Sequence, residues 1–438
     1  MTQWPKAPRA PDAIPFVSLY ADGVLVGCQG ADEGAPGERI ARAFLRAMND
    51  ARFRREAPMS RGDLAAEITY VRAPTACSVA EGAARIVPGL HGVGLARGMG
   101  APPVLLLPRV ACDGGLGSSD LIVTLFTKAQ RDLDDAAELV LFEAESASSH
   151  SGRGGGAQFS PTRAAAAWLS RAVAANGHVT FCVDARARTT TPSGPFQHGR
   201  AAIVARALGR RNAAAAKRAR ERLARDARAG LRGSSRVAAW PEAASEVAGT
   251  LALAILAGVD LTGELRAFAR AQRDAIASAP WHAAQVVHAL GAAAPARLFE
   301  SCRADLSRAP FAPWTLLAAR SLGDASVVAR ATHALHASVR SRPPGRGAVG
   351  APPYEVAMAA LALEALASDR SKANLRVVAQ LRAFLLERQL APGRIPAALD
   401  PELAAGAFPL STMHDHLRSD VTAHALWALE HSAASESQ

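Results

Sequence analysis

Cys28 stands between Gly27 and Gly30, and glycines so close by let backbone amides approach a ligand and leave a thiol accessible. His91, in a second glycine-rich stretch, is the candidate base for that thiol, and a Cys/His pair supports nucleophilic catalysis. The same cysteine also reads as a small buried hydrophobe, with the glycines serving strand packing. Three helices open with an acid followed by valine and a small residue, at Glu246, Glu355 and Asp420. If those helices run parallel, the three carboxylates line one mouth, where they divide acid and base roles or hold a cation. Acids at helix N-termini also serve capping and the macrodipole.

The densest set of metal-capable groups is His414-Asp415-His416, followed by Asp420 and His424, the last two sharing a helix face at i,i+4. Zinc or iron suits such nitrogen and oxygen ligands, and a polar loop with a helix cap is the alternative. His198 and Arg200 follow a Pro/Gly loop and can meet an anionic substrate or pair on the surface. Trp281-His282, at a helix start, adds an aromatic ring and an imidazole as substrate contacts.

Two kinds of chain must position these residues. Residues 12–140 read as α+β: Pro15–Tyr20 and Val24–Cys28 form a hairpin, and Gly37–Asn49 a helix. Leu64–Val71 is a strand, and Gly89–Leu95 pairs with Pro103–Val110 through a turn at Gly98-Met99-Gly100. Ser119–Ala129 is the closing helix. Residues 143–158 are rich in serine and glycine, the composition of a flexible linker. Residues 159–433 are almost all helical. One set of helices begins at Arg163, Glu242, Trp281, Pro313, Tyr354 and Ser419, at spacings of roughly 35–45 residues wherever Pro/Gly-rich loops do not stretch them. Apolar helices alternating with amphipathic ones (Val327–Val339, Leu375–Gln389) give an inner and an outer layer, hence a helical solenoid or an α/α toroid.

Composition narrows the function classes. The 438 residues are 49% hydrophobic and 20% charged, which rules out a disordered polymer and provides for a large core. Aromatics make up only 5%, so alanine, leucine and valine must fill that core. The most apolar window, Val247–Leu261, is too short for a membrane span, and the proline-rich N-terminus has no secretory h-region, so the expected location is the cytoplasm without membrane contact. Five scattered cysteines without a CxxC pair predict free thiols. Of the net charge of +11, ten units fall between Arg200 and Arg236, where twelve basic residues face Glu221 and Asp226. Leu223, Ala227 and Leu231 recur there at helical spacing, which describes an amphipathic surface helix. No aromatic is interleaved for base stacking, which argues against nucleic acid as partner; a scaffold contacting RNA or an acidic partner is the rival reading of that face.

The first region resembles the AMMECR1 domain. Phe16-Val17-Ser18-Leu19 with Leu25 to Gly30 is similar to the family's FVTL…LRGCIG block, and Asp50-Ala51-Arg52-Phe53 with Ile68-Thr69-Tyr70-Val71 to its DPRF…IEVSVL block. Gly89-Leu90-His91-Gly92, Leu107-Pro108-Arg109-Val110 and Phe126-Thr127-Lys128-Ala129 follow in the family's order. Val26 and Gln29 stand where the family has Arg and Ile, and Arg109 where it has Gln. The resemblance implies an α+β fold and a part in a pathway shared with Memo-like and radical SAM proteins, the family's activity being unestablished. The helical region resembles, more loosely, the α/α toroids of terpene cyclases and prenyltransferases. Together these imply an accessory or modifying protein whose toroid binds a small molecule or peptide, with a hydrolase or transferase using Cys28 or the carboxylate/histidine set as the alternative.

Overall fold

The computed structural model describes residues 14–21, 23–53, 64–95, 104–133, 137–149, 159–192, 198–232, 241–306, 313–341, 346–349, 354–367, 369, 371–391, 394–411 and 414–436. The N-terminal residues, the turn at 98–100 and the linker residues 150–158 lie outside the described residues.

β1 (Ile14–Ala21) and β2 (Val24–Gly30) form the expected hairpin, and α1 (Pro36–Met48) covers it. In β1 the side chains alternate: Val17 and Leu19 enter an apolar cluster with α1, while Phe16, Ser18 and Tyr20 line a cavity on the opposite face. β3 (Leu64–Ser78) runs well past the expected end of its strand and leads into α2 (Val79–Arg85), whose N-cap Ser78 accepts from the Glu81 amide. β4 (His91–Leu95) pairs with β5 (Leu105–Leu106), and the chain then turns into α3 (Arg109–Gly114) and α4 (Ser118–Lys128). Most of Pro103–Val110 is therefore not strand, since Arg109 already opens a helix.

Nor is α4 the closing element. β6 (Glu138–Ser148) follows and inserts between β3 and β4, giving the antiparallel order β2-β1-β3-β6-β4-β5. Residues 143–148, expected as linker, are strand because Leu139, Leu141 and Phe142 anchor β6 in the core. The serines that suggested a linker are used as hydrogen-bonding groups: Ser146 Oγ lies 2.9 Å from Thr69 Oγ1, and Ser148 Oγ donates to Ile395 O at 2.5 Å.

The rest of the chain is mostly helical. In order it forms α5 (Pro161–Ala172), β7 (Thr180–Asp184), β8 (Thr189–Pro192), α6 (His198–Leu208), α7 (Ala213–Arg232), α8 (Pro241–Leu256), α9 (Thr262–Ala271) and α10 (Arg273–Ala277). Then come α11 (Pro280–Leu290), α12 (Ala296–Asp305), α13 (Pro313–Leu322), α14 (Ala325–Ser338), α15 (Glu355–Leu366), α16 (Lys372–Arg388), α17 (Pro401–Ala404), β9 (His416–Arg418) and α18 (Ser419–Glu436). The small sheet β8-β7-β9 is an element that the helical pattern concealed.

α6 packs on α8, α8 on α11, α11 on α13, α13 on α15 and α15 on α18, which returns to α6. The expected first member of this set, the helix near Arg163, is α5 and packs behind α6 and α18. α7 lies on α6 and α8, α12 on α11 and α13, α14 on α13, and α16 on α15 and α18. Alanine permits this: Ala202, Ala205, Ala252, Ala284, Ala318, Ala360 and Ala425 are fully buried where helices press together.

The two regions are joined by charge as well as by chain. Arg109 Nη1 donates to Asp415 Oδ1 at 3.0 Å and Nη2 to Asp415 Oδ2, while its Nε lies 3.2 Å from Asp113. Arg186 also contacts Asp113 and lies 3.4 Å from Asp415. The buried Glu67 of β3 accepts from the Ala397 amide at 3.2 Å, and Tyr20 packs on Ala397 and Ala398. At the tip of the β1–β2 hairpin Gly23 has φ +77°, and a Cβ there would sit 2.7 Å from Arg186 Cγ and 3.0 Å from Ala398 O. Asp415→Ala is expected to leave the Arg109 guanidinium with Asp113 as its only remaining carboxylate contact among the described residues and cost about 1.5–3 kcal/mol in urea unfolding. The Arg109→Ala/Asp415→Ala double variant should cost less than the sum of the two single ones.

Candidate functional site

Cys28 faces Ser18 across the hairpin, so both side chains leave the same face of the sheet. Between Leu19 and Tyr20 the register slips: Leu19 opposes Gly27 while Tyr20 opposes Leu25, leaving Val26 as the extra residue of a bulge. Val26 is turned into the cluster under α1, and Leu25 toward the cavity. Gly27 and Gly30 are both needed for packing, and Gly30 also lies in the wall of the cavity beside Cys28. A Cβ on Gly27 would lie 2.0 Å from Ala47 O of α1, and one on Gly30 2.6 Å from the Phe16 ring.

The cavity beside Cys28 measures about 760 Å³ and includes Ser18, Tyr20, Arg52, Arg109 and Lys128 in its wall. Asp50, just behind, accepts from the Cys28 amide at 3.2 Å and from Arg52 Nε at 2.9 Å and Nη2 at 2.6 Å. Arg52 Nη2 also donates to Cys28 O at 2.6 Å, so the Asp50/Arg52 pair clamps the cysteine backbone from both sides of its peptide units. Hydrogen bonding to Arg52 holds the Asp50 carboxyl down at about 2. Lys128 Nζ donates to Leu105 O at 2.8 Å, and burial together with the Arg52 charge lowers its affinity for the proton.

Burial pushes the Cys28 thiol up, and the Ser18 hydroxyl, donating to sulfur at 3.4 Å, together with the Lys128 and Arg52 charges offsets only part of that. The resting group is a neutral thiol. His91 is no base for it, since His91 is outside the cavity wall and its Nδ1 accepts the Val87 amide at 3.1 Å. The predicted Cys28/His91 pair is thus not formed. Ser18, Asp50, Arg52 and Lys128 do not stand out by residue type as nucleophile or base, yet they lie in the very blocks FVSL, DARF and FTKA that carry the family resemblance.

The AMMECR1 family model matches residues 6–147, ending within β6. The chain carries an AMMECR1 domain. Among solved structures the chain is similar to an uncharacterised protein from Pyrococcus horikoshii, 22% identical over 32% of this chain and 74% of that one, with a TM-score of 0.28. It is also similar to a glycosidase variant, 12% identical over 62% of this chain and 96% of that one, with a TM-score of 0.37. No curated protein matches the chain. No helix among the described residues is long and apolar enough to cross a membrane.

Outside the AMMECR1 domain, the predicted residues divide between several environments. Asp420, at the start of α18, is bound by Arg418 at 2.5 and 3.0 Å and lies 3.5 Å from Arg200. Both guanidiniums lie over the Phe181 ring, at 4.3 Å for Arg200 and 5.1 Å for Arg418. Arg200 also feels the charge of Glu246 and lies near Tyr354, and Glu246 acts on His282, so these groups share the N-terminal parts of α6, α8, α11, α15 and α18. Trp281 meets Trp314 edge-on at 6.4 Å, and Trp314 meets His424 at 6.4 Å.

Glu355 does not join them. It is 2% exposed and lies within electrostatic reach of Arg388 on α16, so the expected triad of carboxylates is not assembled. Deeper among the helices, burial would raise Glu364, but Arg206 at 2.6 Å and His424 at 3.5 Å outweigh it and hold the carboxyl at about 2.

The expected zinc or iron ligands are dispersed. His414 and His416 stack at 6.2 Å, but Asp415 between them belongs to Arg109, Asp420 to Arg418, and His424 to Glu364. Among the described residues no three metal-capable groups converge. His198 Nε2 lies 3.1 Å from Asp226, which Arg222 also holds, a partly exposed pair. All five cysteines are free thiols, as expected.

Asp50 gives a test of the clamp. Its folded pKa of about 2 is below the ordinary 3.8, so its contribution is complete above about pH 4 and disappears as pH falls toward 2. Asp50→Asn should remove up to ~2 kcal/mol of stability at neutral pH and flatten the stability–pH curve between pH 4 and 2, read by urea unfolding at each pH.

Proposed function

We propose that this protein binds a small organic molecule or peptide end in the cavity of its AMMECR1 domain, as an accessory or modifying component of a cytoplasmic pathway of the Memo and radical SAM type. The cavity beside Cys28 carries the reading. It is large enough for a metabolite-sized ligand, and it sets a thiol and hydroxyls among the cations Arg52 and Lys128. A ligand carboxylate or phosphate would pair with Lys128, whose ammonium has a backbone carbonyl as its hydrogen-bond partner. Cys28, neutral at rest because burial raises its pKa, serves as a contact and reacts only if a bound ligand brings that pKa back down.

The helical region is read as a closed α/α toroid, supported by the return of α18 to α6. Its mouth, with Trp281, Tyr354, Arg200 and Glu246, is the place for a second small molecule or peptide. The alternative of an enzyme using Cys28 as a ready nucleophile is disfavoured by the raised thiol and the absence of His91 from the cavity wall. The scaffold alternative is also weakened, since Arg218 and Arg220 of the basic helix α7 bond to Ala174 O and Ala257 O, and Arg222 to Asp226.

Iodoacetamide reports on this site. In the folded protein, alkylation of Cys28, read by peptide mass spectrometry, should be slow at pH 7 and rise only above the ordinary thiol range. The small-molecule fraction of a cell extract should slow it further at high pH. Fast reaction below pH 7 would favour the nucleophile, and a rate indifferent to the extract would overturn the binding reading.

A further inference from the structure

Where the AMMECR1 sheet meets α16 and the segment after it, the surface forms a cavity of about 260 Å³ that continues into a second of about 630 Å³. The two share Leu90, Ala144, Glu387 and Arg388, so Arg388 stands at the neck. The smaller one also meets Arg394, and the larger Arg346 and Arg376. It shares only Arg109 with the wall of the Cys28 cavity.

The charges around this groove are unevenly matched. Arg109 and Asp415 neutralise one another in a bidentate pair. Glu67 is buried, bonded to the Ala397 amide, and burial favours its protonated form. Four guanidiniums, Arg346, Arg376, Arg388 and Arg394, then face Glu143 and Glu387. Arg388 reaches Glu387 only at 3.9 Å, and its Nε is buried without a hydrogen-bond partner. Arg388 and Arg394 are close enough to repel, and among the described residues no carboxylate is paired with Arg346, Arg376 or Arg394. Arg346, Arg376 and Arg394 are exposed at the opening and Arg388 keeps a buried donor without a partner, so the groove presents several guanidinium donors to an anion. Arginine's planar fork suits oxyanions above all.

We propose that the groove between the AMMECR1 domain and α16 is a binding site for a small polyanionic metabolite, with one anionic group held between Arg388 and Arg394 and a second near Arg346 and Arg376. The guanidinium at the neck bridges the two, and groups from both regions enclose the ligand, so binding fastens the junction. The site stands apart from the Cys28 reading, and loss of either leaves the other testable.

Titration calorimetry on the full chain with pyrophosphate and, separately, tricarballylate distinguishes phosphate from carboxylate ligands. Saturable one-to-one binding of at least one probe is expected, weakened at least ~10-fold by Arg388→Gln and by the exposed Arg394→Gln. The Arg225→Gln/Arg228→Gln variant of α7 should bind as the parent does, which separates the groove from general basicity. Absence of saturable binding by both probes overturns the proposal. So does unchanged affinity in both groove variants, or equal weakening by the α7 variant. Arg394 is exposed, so its variant tests the site even if Arg388→Gln fails to fold.

Discussion

A guanidinium and a carboxylate, Arg109 and Asp415, hold the two regions of this protein in one geometry. Each is largely withdrawn from water and presents two hydrogen-bonding atoms to the other, with Asp113 and Arg186 completing the cluster around them. Arg109 also belongs to the wall of the Cys28 cavity, as does Asp113, which pairs with Arg186 of the helical region. The shape of that cavity is therefore not a property of the AMMECR1 domain alone. Tyr20, another wall residue, rests on Ala397 and Ala398, and Glu67 is bonded to the same segment. Two sites on a flexible tether would gain from raised local concentration; here the halves share walls, a tighter form of coupling.

Arginine does much of the interior work. Asp50, Glu364, Asp415, Asp420 and Glu430 are each held by a guanidinium, from Arg52, Arg206, Arg109, Arg418 and Arg211. In a core of alanine and leucine with few aromatics, the long arginine stems also supply bulk, as where Arg206 lies 4.1 Å from the Trp427 ring. A high positive charge is thus in part a record of internal pairing, not only of what the surface attracts.

Much of the architecture was legible because periodicity is local. The β1–β2 alternation, the 3.6-residue pattern of α1, and the prolines that open α8, α11 and α13 are each contained in a dozen residues. What escaped depended on distant partners. Glu143–Ser148 has the composition of a linker, and only β3 and β4 on either side make it a strand. β9 is three residues long and exists because β7 offers an edge. Among site residues, Cys28 was found because cysteine between glycines is conspicuous, whereas Asp50 and Arg52 act on it across a helix and a turn. His414, His416, Asp420 and His424 were near in sequence, but three different arginine or carboxylate partners drew their neighbourhood apart.

The tip of the first hairpin limits which AMMECR1 domains could take this one's place. Gly23 lets the β1–β2 turn lie flush against Arg186 and Ala398, and nothing larger than hydrogen fits between them. The hairpin opens an AMMECR1 domain, yet its turn is fitted to residues far along the chain. A domain exchanged for a relative with a larger residue at that turn would bring its own sheet intact and still be held off its seat. The seating of the hairpin on the helical region is thereby set by steric fit at one glycine as well as by attraction at one ion pair.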